Sequence, residues 1–169
     1  NYGSDCAWSV DADNDYIYVG GHDGGQMPLG SGGRMRLEKR QKSDGALVAK
    51  FVNYDNPGAN VVAAVRLDKA GNLYLAGHDV ASGARLRVVK VGNTVVDGEH
   101  KLSLLWNYTN DPTEFQDEFL GGVFDDQTNS FYAVGYTDGQ HSGVLPRWRI
   151  ERITDTPLAP TQDEPIVLE

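Results

Sequence analysis

Two copies of Gly-His-Asp, Gly21-His22-Asp23 and Gly77-His78-Asp79, are the residues of this chain best suited to chemistry. Two imidazoles and two carboxylates from neighbouring structural units could hold a metal ion or a polar ligand, since both side-chain types are ordinary donors. The equivalent third stretch reads Tyr136-Thr137-Asp138, so no third histidine is evident. The favoured reading is a structural turn at each site, with the aspartate capping backbone N–H groups. His22, Asp23, His78 and Asp79 remain the candidate ligand-binding set. No catalytic residue, catalytic metal or cofactor is expected. Gly-x-Ser-x-Gly is missing, and the glycines of the Gly24–Gly33 loop do not lead into a helix as a phosphate-cradling loop would. That loop is instead a plausible contact surface. Cys6, the single cysteine, sits in an apolar run. It reads as a buried small hydrophobe, with pairing to another segment or chain as the alternative.

Three further patterns carry weaker signals. Asp11-Ala-Asp13-Asn-Asp15 has the alternating carboxylates that open a calcium loop, but the sixth position lacks glycine and the twelfth is His22, so a hairpin turn is expected. Asn107-Tyr108-Thr109 is an N-glycosylation sequon, meaningful if the chain is secreted from a eukaryotic cell. Arg36, Arg87 and Arg149 recur in Arg34-Met-Arg-Leu-Glu-Lys39, Arg85-Leu-Arg-Val-Val-Lys90 and Arg147-Trp-Arg-Ile-Glu-Arg152. They could form a polyanion site. The favoured reading pairs each with a carboxylate of the adjacent unit, because Asp11, Asp68 and Asp125 recur in step with them.

These residues are positioned by a repeat. Tyr18, Tyr74 and Tyr132 are spaced by 56 and 58 residues, and each is followed three residues later by glycine: Gly21, Gly77 and Gly135. A period of roughly 50–60 residues is in the range of propeller blades. Each unit reads as short strands separated by polar turns, with the first strand apolar enough for burial on both faces. The units are 1–57, 58–115 and 116–169. Eleven strands are expected near residues 6–11, 15–22, 34–41, 46–53, 60–68, 72–78, 84–91, 101–108, 118–125, 130–136 and 146–153, with almost no helix. Asn53-Tyr54 and Asn107-Tyr108 end the fourth strands, and Asn1-Tyr2 reads as the tail of a preceding one. The third unit ends in a proline-rich piece from Asp155, after which Ile166-Val-Leu168 reads as a degenerate fourth strand.

The clearest unit, Asp68-Lys-Ala-Gly-Asn-Leu-Tyr-Leu-Ala-Gly77, resembles the bacterial β-propeller repeat family of secreted and surface proteins, whose repeats are like those of seven-bladed propellers. The resemblance implies an all-β fold of four-stranded blades, three of them in this chain, and an extracellular or cell-surface location. It carries over no catalytic residue. Rings of this kind need about four to eight blades, so the expected partners are other protein segments or chains that complete the ring. The net charge of −9 argues against a nucleic-acid surface. No run approaches the ~18 apolar residues of a membrane-spanning helix, so membrane insertion is not expected. The reading favoured overall is a non-enzymatic interaction or structural module. The alternative is part of a propeller enzyme (hydrolase, lyase or quinone-dependent oxidoreductase) whose active site lies partly outside this chain.

Overall fold

The computed structural model describes residues 4–25, 33–53, 60–80, 84–110, 112, 116–139 and 145–154. All eleven expected strands are found, and no described residue is helical. They are β1 (Ser4–Ala12), β2 (Tyr16–Gly25), β3 (Arg34–Gln41), β4 (Leu47–Val52), β5 (Val61–Leu67), β6 (Leu73–Val80), β7 (Ala84–Val96), β8 (Glu99–Asn110), β9 (Gln116–Asp125), β10 (Ser130–Gly139) and β11 (Arg147–Thr154). Consecutive strands pair antiparallel into sheet 1 (β1 to β4), sheet 2 (β5 to β8) and sheet 3 (β9 to β11). Among the described residues sheet 3 has no fourth strand. The expected strand at Ile166-Val-Leu168, the tail at Asn1-Tyr2, Tyr54 and most of the Gly24–Gly33 loop lie outside the described residues.

The sheets stack face to face, with sheet 2 in the middle. Its Val62, Val65, Leu73, Leu75, Val89 and Val91 pack against Tyr18, Met35 and Leu37 of sheet 1. Its other face, with Ala64, Tyr74, Ala76, Leu86 and Val88, packs against Phe119, Phe131, Ala133 and Ile153 of sheet 3. Tyr74 stacks on Phe131 with ring centroids 5.1 Å apart. Alternation along a strand sends successive side chains to opposite faces, so a sheet apolar at every position is one covered on both sides. That describes β5 but not its counterparts. Trp8 and Val10 of β1, and Leu120 and Val123 of β9, are exposed, which corrects the expectation that all three first strands are doubly buried. β5 also needs partners for its outer edge, and sheet 1 supplies them: the Val65 N–H donates to Ser9 Oγ at 3.0 Å and the Leu67 N–H to Asp11 Oδ2 at 2.9 Å.

Each Tyr-x-x-Gly glycine answers one close approach. A Cβ on Gly21, Gly77 or Gly135 would lie 1.9, 1.9 or 1.8 Å from the carbonyl oxygen of Cys6, Val61 or Glu118. The pairing slips by one residue beside each glycine, at Trp8, Ala63 and Leu120, as a β-bulge does. The bulge carries the first strand onto the second, and only glycine leaves room.

Register corrects two alignments. Ala12, Leu67 and Phe124 pair with Ile17, Leu73 and Phe131, so Asp13, not Asp11, is the counterpart of Asp68 and Asp125. Asp13 is a hairpin residue, as its spacing suggested: its Oδ1 accepts from the Asp15 and Tyr16 N–H groups, and its Oδ2 from the Tyr18 hydroxyl at 2.6 Å. Val52 and Thr109 face Arg36 and Arg87, so Asn53 matches Asn110, and the two Asn-Tyr pairs are not equivalent. β7 and β8 run longer than expected because Asp97-Gly98 makes a two-residue hairpin turn with φ of 54° and 81°. Asp-Gly is the usual signal for such a turn.

Replacing Gly77 by alanine should cost about 3 kcal/mol, the upper range for overpacking, read from the urea midpoint. Gly92→Ala meets only side-chain atoms, of Leu105 at 3.2 Å and Ser103 at 3.4 Å, and should cost less than about 1 kcal/mol. Equal midpoints for the two variants would contradict the bulge argument.

Candidate functional site

Gly21-His22-Asp23 lies inside β2 and Gly77-His78-Asp79 inside β6, so neither is the turn that the sequence suggested. In a strand, neighbouring residues leave on opposite faces, and each histidine therefore parts from its aspartate. His22 shares the face of Tyr18, turned to sheet 2. His78 shares the face of Tyr74, turned to sheet 3, while Asp79 turns back to sheet 1. The four candidate residues do not converge on one pocket.

The histidines instead begin a row that crosses the three sheets at their bulged ends. His22 accepts a hydrogen bond at Nδ1 from the Trp8 indole N–H at 3.2 Å. His78 is buried, with Nδ1 3.8 Å from Glu118 Oε2, too long for a hydrogen bond. Burial pushes His78 below its ordinary pKa. Glu118 and Asp79 oppose that shift, and His22 adds to it. Tyr136, which takes the histidine position in sheet 3, bonds to Glu118; burial, together with the charge and hydrogen bond of Glu118, pushes its hydroxyl up to about 12. The row thus holds a neutral imidazole and a protonated phenol around one carboxylate. Sequence reasoning missed Glu118 because its place depends on the β9–β10 register. Tyr136 was legible as the substituted third histidine.

The aspartates and arginines form a second set. Asp79, 1% exposed, accepts from Arg85 Nε at 2.8 Å and Nη2 at 3.1 Å, and from Arg87 Nη1 at 3.2 Å. Asp23 accepts from Arg36 Nη1 at 3.4 Å, and Arg36 also bonds Glu38. Burial works against ionisation of Glu38, but hydrogen bonds from Arg36 and Arg40 outweigh it and hold the carboxyl below its usual range. Arg149 donates to Glu151 at 2.6 and 2.8 Å. Sheet 2 completes that pair: Asn110 Nδ2 donates to Glu151 at 2.8 Å, and burial together with the Glu151 charge raises the pKa of the Tyr108 hydroxyl bonded there. All three arginines therefore pair with carboxylates. The carboxylates belong to their own sheets, however, not to the adjacent unit, and they are not Asp11, Asp68 or Asp125. Two of those aspartates have other partners: Lys90 Nζ lies 3.4 Å from Asp68, and the Thr128 hydroxyl and Gln127 N–H donate to Asp125, which lowers its pKa with a smaller contribution from the Arg152 charge.

An open cleft of about 260 Å³ lies at the bulged end of sheet 1, lined by Asp5, Cys6, Val19, His22, Arg36 and Glu38 among others. Cys6 is half-buried there. Asn107 and Thr109 are exposed on β8, the edge strand of sheet 2. Among the described residues no group of three or more His, Cys, Asp and Glu side chains is placed to hold a metal ion. No protein-family model matches the chain, and no curated protein matches its sequence.

Asp79→Ala should cost about 3–5 kcal/mol, because it leaves buried guanidinium charge without its carboxylate. Asp23→Ala should cost about 1 kcal/mol or less, since Arg36 keeps Glu38 and is partly solvated. Denaturant midpoints of the two variants decide the order.

The depressed His78 pKa also sets a pH dependence. Below about pH 6.5 the unfolded chain binds a proton that folded His78 refuses, so this stability is complete above 6.5 and lost as the pH falls. His78→Gln should flatten the stability slope between about pH 7 and 5.5, above the carboxylate range. An unchanged slope would place its source elsewhere.

Proposed function

We propose that the chain is a non-enzymatic structural and interaction module, its three sheets serving as blades of a β-propeller in an extracellular or surface assembly. The observation that carries this is one interface built twice: the Tyr18 face of sheet 1 meets sheet 2 as the Tyr74 face of sheet 2 meets sheet 3. Repeating one packing operation generates a ring or a helix. Asp79, Glu38 and Glu151, which an enzyme would aim at a substrate, are engaged by arginines within the sheets.

One observation favours the propeller-enzyme alternative: the row of His22, His78, Glu118 and Tyr136 at one end of the stack. The two readings separate in an imidazole ¹H–¹⁵N titration with Ca²⁺, Mg²⁺, Zn²⁺ and a quinone cofactor. The module reading expects no saturable shift shared by His22 and His78. A shared, saturable shift that disappears in His22→Ala would overturn it.

A further inference from the structure

The two end faces of the stack are the two halves of an interface the chain already makes twice. In sheet 1 the half that receives the next sheet carries Tyr18, Gly20, Met35 and Leu37; in sheet 2 it carries Tyr74, Ala76, Leu86 and Val88. Every side chain of both sets is 0% exposed, and a Cβ on Gly20 would strike Val65 at 2.3 Å. Register assigns the same four positions in sheet 3 to Tyr132, Val134, Trp148 and Ile150. Among the described residues nothing follows sheet 3, and Trp148 is 87% and Val134 42% exposed. Exposed Leu120 and Val123 widen the patch. An apolar area of this kind is a contact surface on a soluble chain.

The other half lies open on sheet 1. Sheet 2 offers sheet 1 the cross-strand row Val65, Leu75 and Val89, and sheet 3 offers sheet 2 the row Gly122, Ala133 and Glu151. The matching row in sheet 1 is Val10, Val19 and Glu38, which faces outward with Val10 59% exposed. Glu38 beside Arg36 repeats Glu151 beside Arg149. In sheet 3 that pair is met by donors of the preceding sheet, Tyr108 and Asn110. Trp148 takes the position of Leu86, the cross-strand neighbour of Asn110, so its indole N–H is a donor available near the Glu38 face, which no described sheet covers.

We propose that the outward face of sheet 3 docks onto the outward face of sheet 1 of a second copy of this chain, and reciprocally. A second copy is the partner known from the structure to own both halves. The contact is heterologous, face to opposite face, and such contacts close when the rotation completes a circle. Two copies supply six sheets, within the usual four to eight of a propeller. The inference rests on the blade reading above and names its partner.

Light scattering after gel filtration should give twice the 18.4 kDa chain mass. Trp148→Glu blocks one half and Val10→Glu the other, so each should weaken the dimer more than about tenfold. Both side chains are exposed in the single chain, so each variant should keep a cooperative unfolding transition. An equimolar mixture of the two should regain a 1:1 dimer through its one intact interface. A wild-type chain that stays at 18.4 kDa, a variant that dimerises like wild type, or a mixture that stays monomeric would each overturn the proposal. Failure is distinct from failure of the module reading: a monomer whose histidines are silent in the imidazole titration keeps that reading and loses only this partner.

Discussion

A sheet buried on both faces can present polar atoms only at its edges and its two strand ends, and sheet 2 follows that constraint closely. Its centre is Val, Leu, Ala and the ring of Tyr74. Its charges are gathered at the ends, Lys90 with Asp68 at one and Arg85 and Arg87 with Asp79 at the other. Its open edge, β5, takes Ser9 and Asp11 as substitutes for a neighbouring strand. The flanking sheets are placed by the same requirement, since leaving either face of sheet 2 in water would expose a layer of side chains worth about 1.5–3 kcal/mol each when buried.

The polar ends are stabilised locally rather than across the stack. Arginine forks match carboxylate geometry closely, and a buried carboxylate without such a partner would not stay ionised. Pairing within a sheet uses residues whose separation the antiparallel register already holds: Asp79 faces Arg85, and Asp23 faces Arg34, with Arg36 two residues further on. The same strand alternation that makes these pairs separates each histidine from the aspartate beside it. The cluster of His78 with Glu118 and Tyr136 is assembled from two sheets. Burial holds the His78 imidazole below its ordinary pKa.

The end sheets differ from the middle one in what covers them, not in how they are built. Sheets 1 and 2 bury the positions that sheet 3 leaves open at Trp148 and Val134, and the difference follows from place in the stack. This makes the ends directional. The face of sheet 3 lined by Tyr132, Val134, Trp148 and Ile150 differs from its opposite face, and the equivalent faces of sheets 1 and 2 each meet the opposite face of the next sheet.

The sequence by itself determined the eleven strands, because alternation, turn residues and the Tyr-x-x-Gly spacing are local and repeat three times. It also pointed to the three arginines as structural, since a charge recurring once per unit suggests a pairing rule. The partner of each charge depends on register, and register depends on bulges and turn lengths that a repeat period averages over. A shift of two residues moved the hairpin carboxylate from Asp11 to Asp13, and one of three separated Asn53 from Asn107. Gly-His-Asp reads as a turn in sequence because glycine and aspartate are turn formers. Only the tertiary structure shows that glycine stands there to admit a carbonyl, which leaves the histidine and aspartate in the strand, on opposite faces. The distinction between first strands buried on both faces and on one was also decided there, because burial belongs to the neighbouring sheet and not to the strand.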